Sequence, residues 1–334
     1  MKINETPIRT SKNYNINNFD VPDNTFDFQV KNTIKQNVAK QNYPLCEKSA
    51  KQLTKPNQAL SYTFDNSTKE RIVISNNLNK NNNTLISNIS LVVKENAEAN
   101  VLITLKSSTK AFANSFLKID CEQNSKLNIT ILSSLKKSQN FMNIEATLHH
   151  NSSCNLNIVD FCNTLSVIKQ TTDIIEDSAK FDINMLYLGT NNGAIDINII
   201  NNVFSPNNKT NINVVGALFD SAIKNFKGTI DFKKGAIKSA GQENELCLLF
   251  SNGAKSKALP ILLSGEEDVD GSHSSATSKI DQKQLFYLMS RGLSKLDSMK
   301  LYLKAKFNSI ITKLDKDVQK YINHQIDREL KKYE

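Results

Sequence analysis

The sequence contains no tryptophan, and all ten of its glycines lie at or after Gly189. Without an indole there is no large stacking platform for nucleobases or sugar rings. Without early glycine, turns in the first half must use Asn, Asp and Ser, which tolerate the left-handed backbone better than other non-glycine residues. Of the six prolines, four (Pro7, Pro22, Pro44 and Pro56) fall in the first 60 residues. The five cysteines, Cys46, Cys121, Cys154, Cys162 and Cys247, are odd in number and form no C-x-x-C pair. That pattern argues against a disulfide framework and against a classical zinc site, and favours thiols buried as small hydrophobes. No apolar run approaches the ~20 residues of a membrane helix. The N-terminus, MKINETPIRTSKNYN, lacks the apolar stretch of a secretory signal. The cytoplasm is the expected location, with no membrane partner. No G-x-x-x-x-G-K-[ST] segment is present, so ATP hydrolysis is not expected of this chain. No G-x-S-x-G elbow appears either.

Charge points to surface chemistry only. Forty-two basic and 33 acidic residues leave a net charge of +9. The basic residues are spread along the chain, with no Arg cluster and no interleaved aromatics. A Lys-rich solvated surface explains this better than a nucleic-acid footprint, and no nucleic-acid partner is expected.

Residues 1–68 read as an irregular N-terminal arm with one helix around residues 30–40. From about Arg71, short alternating apolar runs appear between polar clusters such as EQNS, HNSS, EDSA and SPNN. Five runs align, centred on Ile103, Ile129, Leu156, Ile183 and Ile212, at steps of 26, 27, 27 and 29 residues. A second series contains Leu117, Ile119 and Cys121, then Ile144, Ala146 and Leu148, then Ile195, Ile197 and Ile199; its copy near Ile168–Ile174 is blurred. Period-two alternation marks strands with one buried face. A repeat of about 27 residues marks stacked units that bury their apolar faces only against one another. The expected fold is mainly β: a right-handed parallel β-helix over residues 69–276, with the irregular arm before it and a C-terminal α-helical domain, 277–334, after it. A leucine-rich repeat would need L-x-x-L-x-L followed by x-x-N, which is absent. Asn128, Asn155, Asp182 and Asn211 share one outward register, and Thr130, Asn157, Asn184 and Asn213 another, so amide ladders can form.

After Thr277 the period becomes helical. Asp281 caps a segment over 282–291 that Gly292 ends. Ser294 with Asp297 opens a second helix reaching about Leu314. A third, over 316–333, puts Val318, Ile322, Ile326 and Leu330 on one face. That stripe packs on its own domain or docks a partner.

Residues 226–292 carry an ordered set of elements: Phe226 and Gly228, Gly235 and Ala236, Gln242 and Asn244, Leu248, Leu249, Ser251 and Ala254, Pro260, then His273, Ala276 and Thr277, and finally LFYL at 285–288 with Arg291 and Gly292. In order and spacing this resembles the core of the SufB/SufD family of iron–sulfur cluster assembly scaffolds, clearly so over about 226–305. The resemblance implies a non-enzymatic scaffold that works with an ABC-type ATPase of the SufC kind. It also implies a second SufB/SufD-type chain, as homo- or heterodimer, and a cysteine desulfurase system as sulfur source. A transient iron–sulfur cluster would assemble where scaffold subunits meet. His273 matches the family's turn histidine, a proposed ligand. Glu266 and Glu267 are candidate iron ligands, carboxylates being hard donors suited to iron before sulfide arrives. The position of SufB's assembly cysteine is Glu245 here, as in SufD-like chains that lack the thiol. Cys247, two residues on and on the same strand face, is the candidate substitute, or else a core thiol. Leu285, Phe286, Tyr287, Leu288, Arg291 and Gly292 are the implied ATPase-docking residues. His149 and His150 point to opposite faces of a strand and make a poor metal clamp. Two other readings remain open: a purely structural SufD-like subunit, and a carbohydrate-active β-helix, which would need clustered carboxylates in a groove.

Overall fold

The computed structural model describes residues 1–6, 15–27, 38–68, 70–135 and 137–333. The helix expected around residues 30–40 falls mostly outside them. Among the described residues, sixteen strands form two sheets. One contains β1 (Gln58–Phe64), β3 (Thr84–Val93), β5 (Phe112–Cys121), β7 (Gln139–Leu148), β9 (Leu165–Ile174), β11 (Ala194–Val203), β13 (Ile223–Phe232) and β15 (Lys255–Ser264), in that order. The other contains β2 (Ile72–Leu78), β4 (Glu98–Ser107), β6 (Lys126–Leu135), β8 (Ser153–Cys162), β10 (Lys180–Gly189), β12 (Lys209–Leu218), β14 (Ser239–Leu249) and β16 (Val269–Lys279). Neighbours pair in parallel, and the chain alternates between sheets. Two strands therefore complete one turn of a β-solenoid, and the inner faces of both sheets share one apolar core.

The turns explain how a chain without early glycine coils this way. Before successive strands of the even-numbered sheet, Asn96, Asn124, Asn151, Ser178, Asn207 and Lys238 take positive φ between 51° and 63°. Asn bears the left-handed penalty best because its amide bonds locally. Here it also bonds between rungs: Asn124 donates to Asn96 at 3.0 Å and Asn151 to Asn124 at 2.8 Å. The expected amide ladder on the outer face forms as well. Asn155 donates to Asn128 at 3.2 Å, Asn184 to Asn155 at 3.0 Å, and Asn211 to Asp182 at 2.6 Å.

Pairing corrects the repeat in two places. Ile129, Leu156, Ile183 and Ile212 do stack. Their partner in β4 is Val101, whereas Ile103 lies over Ile131. In the other sheet Ile144 stacks two rungs below Ile199, with Gln170 between them, not below Ile195. The blurred copy is β9, where Gln170 and Thr172 replace apolar residues on the inner face and hydrogen-bond to each other.

Both outer faces are covered. The N-terminal arm, with its short helix α1 (Glu47–Gln52), lies on the odd-numbered sheet. There Asn4 donates to Asp196 at 2.7 Å, and Lys227, fully buried, donates to the Asn4 carbonyl at 2.7 Å and to Asp196 at 2.8 Å. Glu145 accepts from the amides of Asn42 and Tyr43 at 2.9 and 2.7 Å. The C-terminal helices α2 (Gln282–Ser290), α3 (Lys295–Ile311) and α4 (Lys316–Leu330) follow the even-numbered sheet. Asp281 caps α2, Ser294 caps α3, and Gly292 ends the first at φ +95°. Val318, Ile322, Ile326 and Leu330 are buried with Leu303 and Phe307 against Leu132, Val159, Leu186 and Val215 of the sheet. Of the two uses open to that stripe, the fold takes self-packing.

Candidate functional site: the last rung of the solenoid

With its faces covered, the solenoid is open at its C-terminal end. There β15 and β16 are the edge strands of their sheets. Except for half-buried Val269 and Gly271, every residue of β16 is exposed, on both faces of the strand. An edge strand offers unpaired backbone donors and acceptors to another chain.

The inner columns change character as they reach this end. One column reads Ile72, Val101, Ile129, Leu156, Ile183, Ile212, then Glu243, then His273. The next ends Val214, Glu245, Ser275, and the third Gly216, Cys247, Thr277. Apolar rungs thus give way to two carboxyls and a thiol beneath an imidazole and two hydroxyls. Glu245 is fully engaged: Lys224 donates to it at 2.6 Å, Ser275 at 2.8 Å and Tyr187 at 3.5 Å. The side chains of Lys224 and Glu245 are both 0% exposed. Such a pair is compensated rather than strongly stabilising, and removing one partner leaves a buried charge.

Glu243 is the opposite case. It is buried, and neither carboxyl oxygen makes a hydrogen bond of normal geometry. Burial pushes its pKa up to about 8, against a smaller opposing pull from the Ile261 backbone amide. Gly228 makes the room for it: a Cβ there would lie 2.0 Å from the Glu243 Oε1. Gly216 does the same for Tyr187, whose ring would lie 2.1 Å from an added Cβ. The F-x-G element of the sequence therefore has a steric cause in this chain.

Of the residues singled out from sequence, His273 is exposed at the open end, in the column above Glu243. Cys247 faces inward as expected from its strand parity, but it is fully buried, and burial raises its thiol pKa despite Lys224 nearby. A thiol so placed stays protonated and a weak nucleophile. Glu266 and Glu267 lie on the turn before β16. Glu266 accepts from the amides of Gly235 at 3.0 Å and Glu267 at 3.1 Å, and those bonds hold its carboxyl below the usual range. From the start of β16 to His273 is about 13 Å of strand at ~3.3 Å per residue. The turn carboxylates and His273 do not converge. Among the described residues no group of three or more His, Cys, Asp or Glu is arranged to hold a metal ion. His149 sits between Asp120, near the end of β5, at 3.2 Å and Glu176 at 3.1 Å, and His150 bonds Asp177 at 2.8 Å, where the strands meet the solenoid's turns.

Glu243 carries no mark in the sequence that sets it apart. A polar residue among Gln242, Asn244 and Glu245 looks like part of a solvated stretch. One further period of 27–29 residues from Ile212 reaches only 239–241, and the step to its register partner Glu243 is 31 residues, so spacing alone does not find it.

On the helical domain, Leu285 points into the core, Leu288 is half-buried, and Phe286 and Tyr287 are 72% and 57% exposed. The guanidinium of Arg291 lies 5.2 Å over the Tyr287 ring. Lys283, Gln284, Tyr287, Leu288 and Tyr302 line a shallow groove of about 380 Å³. With Met289, Leu293 and Leu301 also exposed, this is an apolar surface without a partner in the chain. No helix among the described residues is long and apolar enough to cross a membrane.

Comparison with known proteins agrees with this architecture. A family model described as "SUF system FeS cluster assembly, SufBD core domain" matches residues 75–306, reaching upstream from the motif-rich segment through nearly all of the rungs. The chain is 32% identical over 117 residues to the iron–sulfur cluster assembly protein SufD of Bacillus subtilis (strain 168), covering 35% of this chain and 27% of that protein. It is 27% identical over 126 residues to a SufBD family protein of Mycobacterium tuberculosis (strain H37Rv), covering 38% of this chain and 15% of that protein. A SufBD family protein of Mycobacterium leprae (strain TN) is 37% identical over 68 residues, 20% of this chain and 17% of that protein. These alignments span about a quarter or less of the relatives' lengths. The family model spans most of the solenoid and reaches into α3, and on that ground the chain belongs to the SufBD core family of SUF-system iron–sulfur cluster assembly proteins.

Proposed function

We propose that this chain is a scaffold subunit on which iron and sulfide are assembled, with no enzymatic step of its own. The single observation that carries the reading is the last rung. An exposed edge strand places His273 at an open end whose inner wall has turned from apolar to ionisable. A second SufB/SufD-type chain pairs with β15 and β16 there, and iron, the cargo, is bound at His273 between the subunits. The carboxylates of Glu266 and Glu267, away from His273 along the same edge, serve capture of iron rather than the final ligand set. Cys247 is a reserve thiol, reached only if the rung above it opens. Sulfur comes from a cysteine desulfurase system, and the complex works in the cytoplasm.

The ATPase of the SufC kind docks on the helical domain through Phe286, Tyr287, Leu288, Arg291 and Gly292. Leu285 holds that face from beneath. Deleting residues 278–334 would strip the cover from the even-numbered sheet as well, so a surface change tests docking better. In Phe286→Asp, co-purification of the ATPase is expected to fall at least tenfold with the thermal midpoint unchanged. Retention of the ATPase at the unmodified level would sink the docking assignment.

A second reading has one observation in its favour. The lack of a ready three-ligand cluster among the described residues suits a purely structural SufD-like subunit. Normal cluster delivery by His273→Ala would favour it.

A further inference from the structure

We infer that Glu243 is a second ligand to iron at the last rung, joining His273 from the strand beneath; this rests on the reading that iron is bound at His273. Three observations lead there. Glu243 and His273 are register partners in adjacent parallel strands, β14 and β16, on the inner face. Their backbones are one strand spacing apart, about 4.8 Å. A carboxylate oxygen and an imidazole nitrogen stacked at that spacing can share one ion at bonds of about 2.1 Å. Second, both oxygens of Glu243 are buried and neither makes a hydrogen bond of normal geometry, the Ile261 backbone amide giving only a weak pull; it is the only carboxyl among the described residues with both oxygens in that state. Its neighbour Glu245 spends its oxygens on Lys224, Ser275 and Tyr187 and has none to give. Third, the space that holds Glu243 exists because residue 228 is glycine.

An unpaired buried carboxyl costs stability with no return within the chain. Such groups in a native fold call for a ligand or a chemical role. Carboxylate with imidazole is a donor set suited to a divalent first-row metal, and two protein ligands leave positions for sulfide, water or a residue of the second chain. On binding, the Glu243 carboxyl gives up its proton to solvent and its oxygen forms the metal bond, so no oxidant or reductant is needed.

The test is anaerobic titration of the full chain with cobalt(II) as a spectroscopic stand-in for ferrous iron, read by d–d absorption and calorimetry. The expected result is one saturable ion per chain, bound about tenfold or more weaker in Glu243→Gln and in His273→Ala. Glu243→Asp, which keeps the charge and draws the oxygens back, is expected to weaken binding as well. Thermal melts of each variant establish that it is folded. Unchanged affinity in Glu243→Gln and Glu243→Asp, with loss in His273→Ala, overturns the role of Glu243 and leaves His273 standing. Absence of saturable binding by the unmodified chain overturns the shared site. The ATPase co-purification above reports on the scaffold reading separately.

Discussion

At the scale of single residues, the end of the solenoid is defined by how its carboxyls are treated. Glu245 is neutralised by Lys224; Glu243 is left without a counter-ion and remains protonated in neutral solution. The consequence is a sign. The folded pKa of Glu243, about 8, lies above the ordinary 4.5. Its contribution to stability is therefore complete below about pH 4.5 and is lost as pH rises through about 8. Asp160, buried among Ser166, Ser133 and Asn140, behaves alike in a lower window, its pKa raised from 3.8 to about 6. Glu176, Asp177 and Asp317 have lowered pKa values and act oppositely, losing stability only as pH falls below the carboxylate range. Asp196 is raised by burial too, against the pull of Lys227, and Glu243 adds its own loss up to about pH 8. Unfolding free energies from urea melts between pH 6 and 9 are expected to fall for the unmodified chain by an amount on the order of a few kcal/mol, at ~1.4 kcal/mol per pKa unit. In Glu243→Gln that slope is expected to shrink, leaving what Asp160 and Asp196 contribute. An unchanged slope in the variant would show that the carboxyl ionises freely in the folded state.

At the scale of elements, magnitude decides what holds the helical domain down. Arg71 reaches from the first rung to Asp315 and Asp317 at the start of α4, at 2.7 and 2.6 Å. Those bonds hold the Asp317 carboxyl down at about 2. Yet Asp317 is 60% exposed, and an exposed pair contributes only about 0–1 kcal/mol. Ile322, fully buried in the stripe of α4, stands to lose about 2–5 kcal/mol on truncation to Ala. Thermal unfolding should therefore show a large fall in midpoint for Ile322→Ala and a small one for Arg71→Ala. The reverse order would mean that the ion pair, not the stripe, anchors the helix.

The same scale explains what could be read in advance. Strands, helix caps and the four-rung column from Ile129 to Ile212 were legible because period, parity and turn chemistry agree there. The register of Val101 and Ile103 was not. A shift of two residues keeps every side chain on its own face, so alternation alone cannot detect it. The copy at β9 was blurred because Gln170 and Thr172 stand on the inner face, where Gln170 donates to the Thr172 hydroxyl, a contact visible only in three dimensions. At the site, His273 was legible from its motif. Glu243 was hidden because a polar core residue looks like a surface one, and the separation of Glu266 and Glu267 from His273 depends on where the turn meets the strand.

At the scale of the whole molecule, the chain is a nearly one-dimensional stack whose long faces are occupied by its own arm and helices. Repeats of this kind carry their cores from rung to rung and leave the ends as their exposed edges. Interaction with a second scaffold chain is therefore expected at an end, and the C-terminal end is where the inner columns turn ionisable. The measurement that bears most directly on this is anaerobic reconstitution with ferrous iron and sulfide, followed by iron and sulfide analysis of the desalted protein. The unmodified chain is expected to retain both, with charge-transfer absorption in the visible, and His273→Ala to retain less than a tenth as much while still folding. Equal retention by His273→Ala would contradict assembly of iron at the last rung.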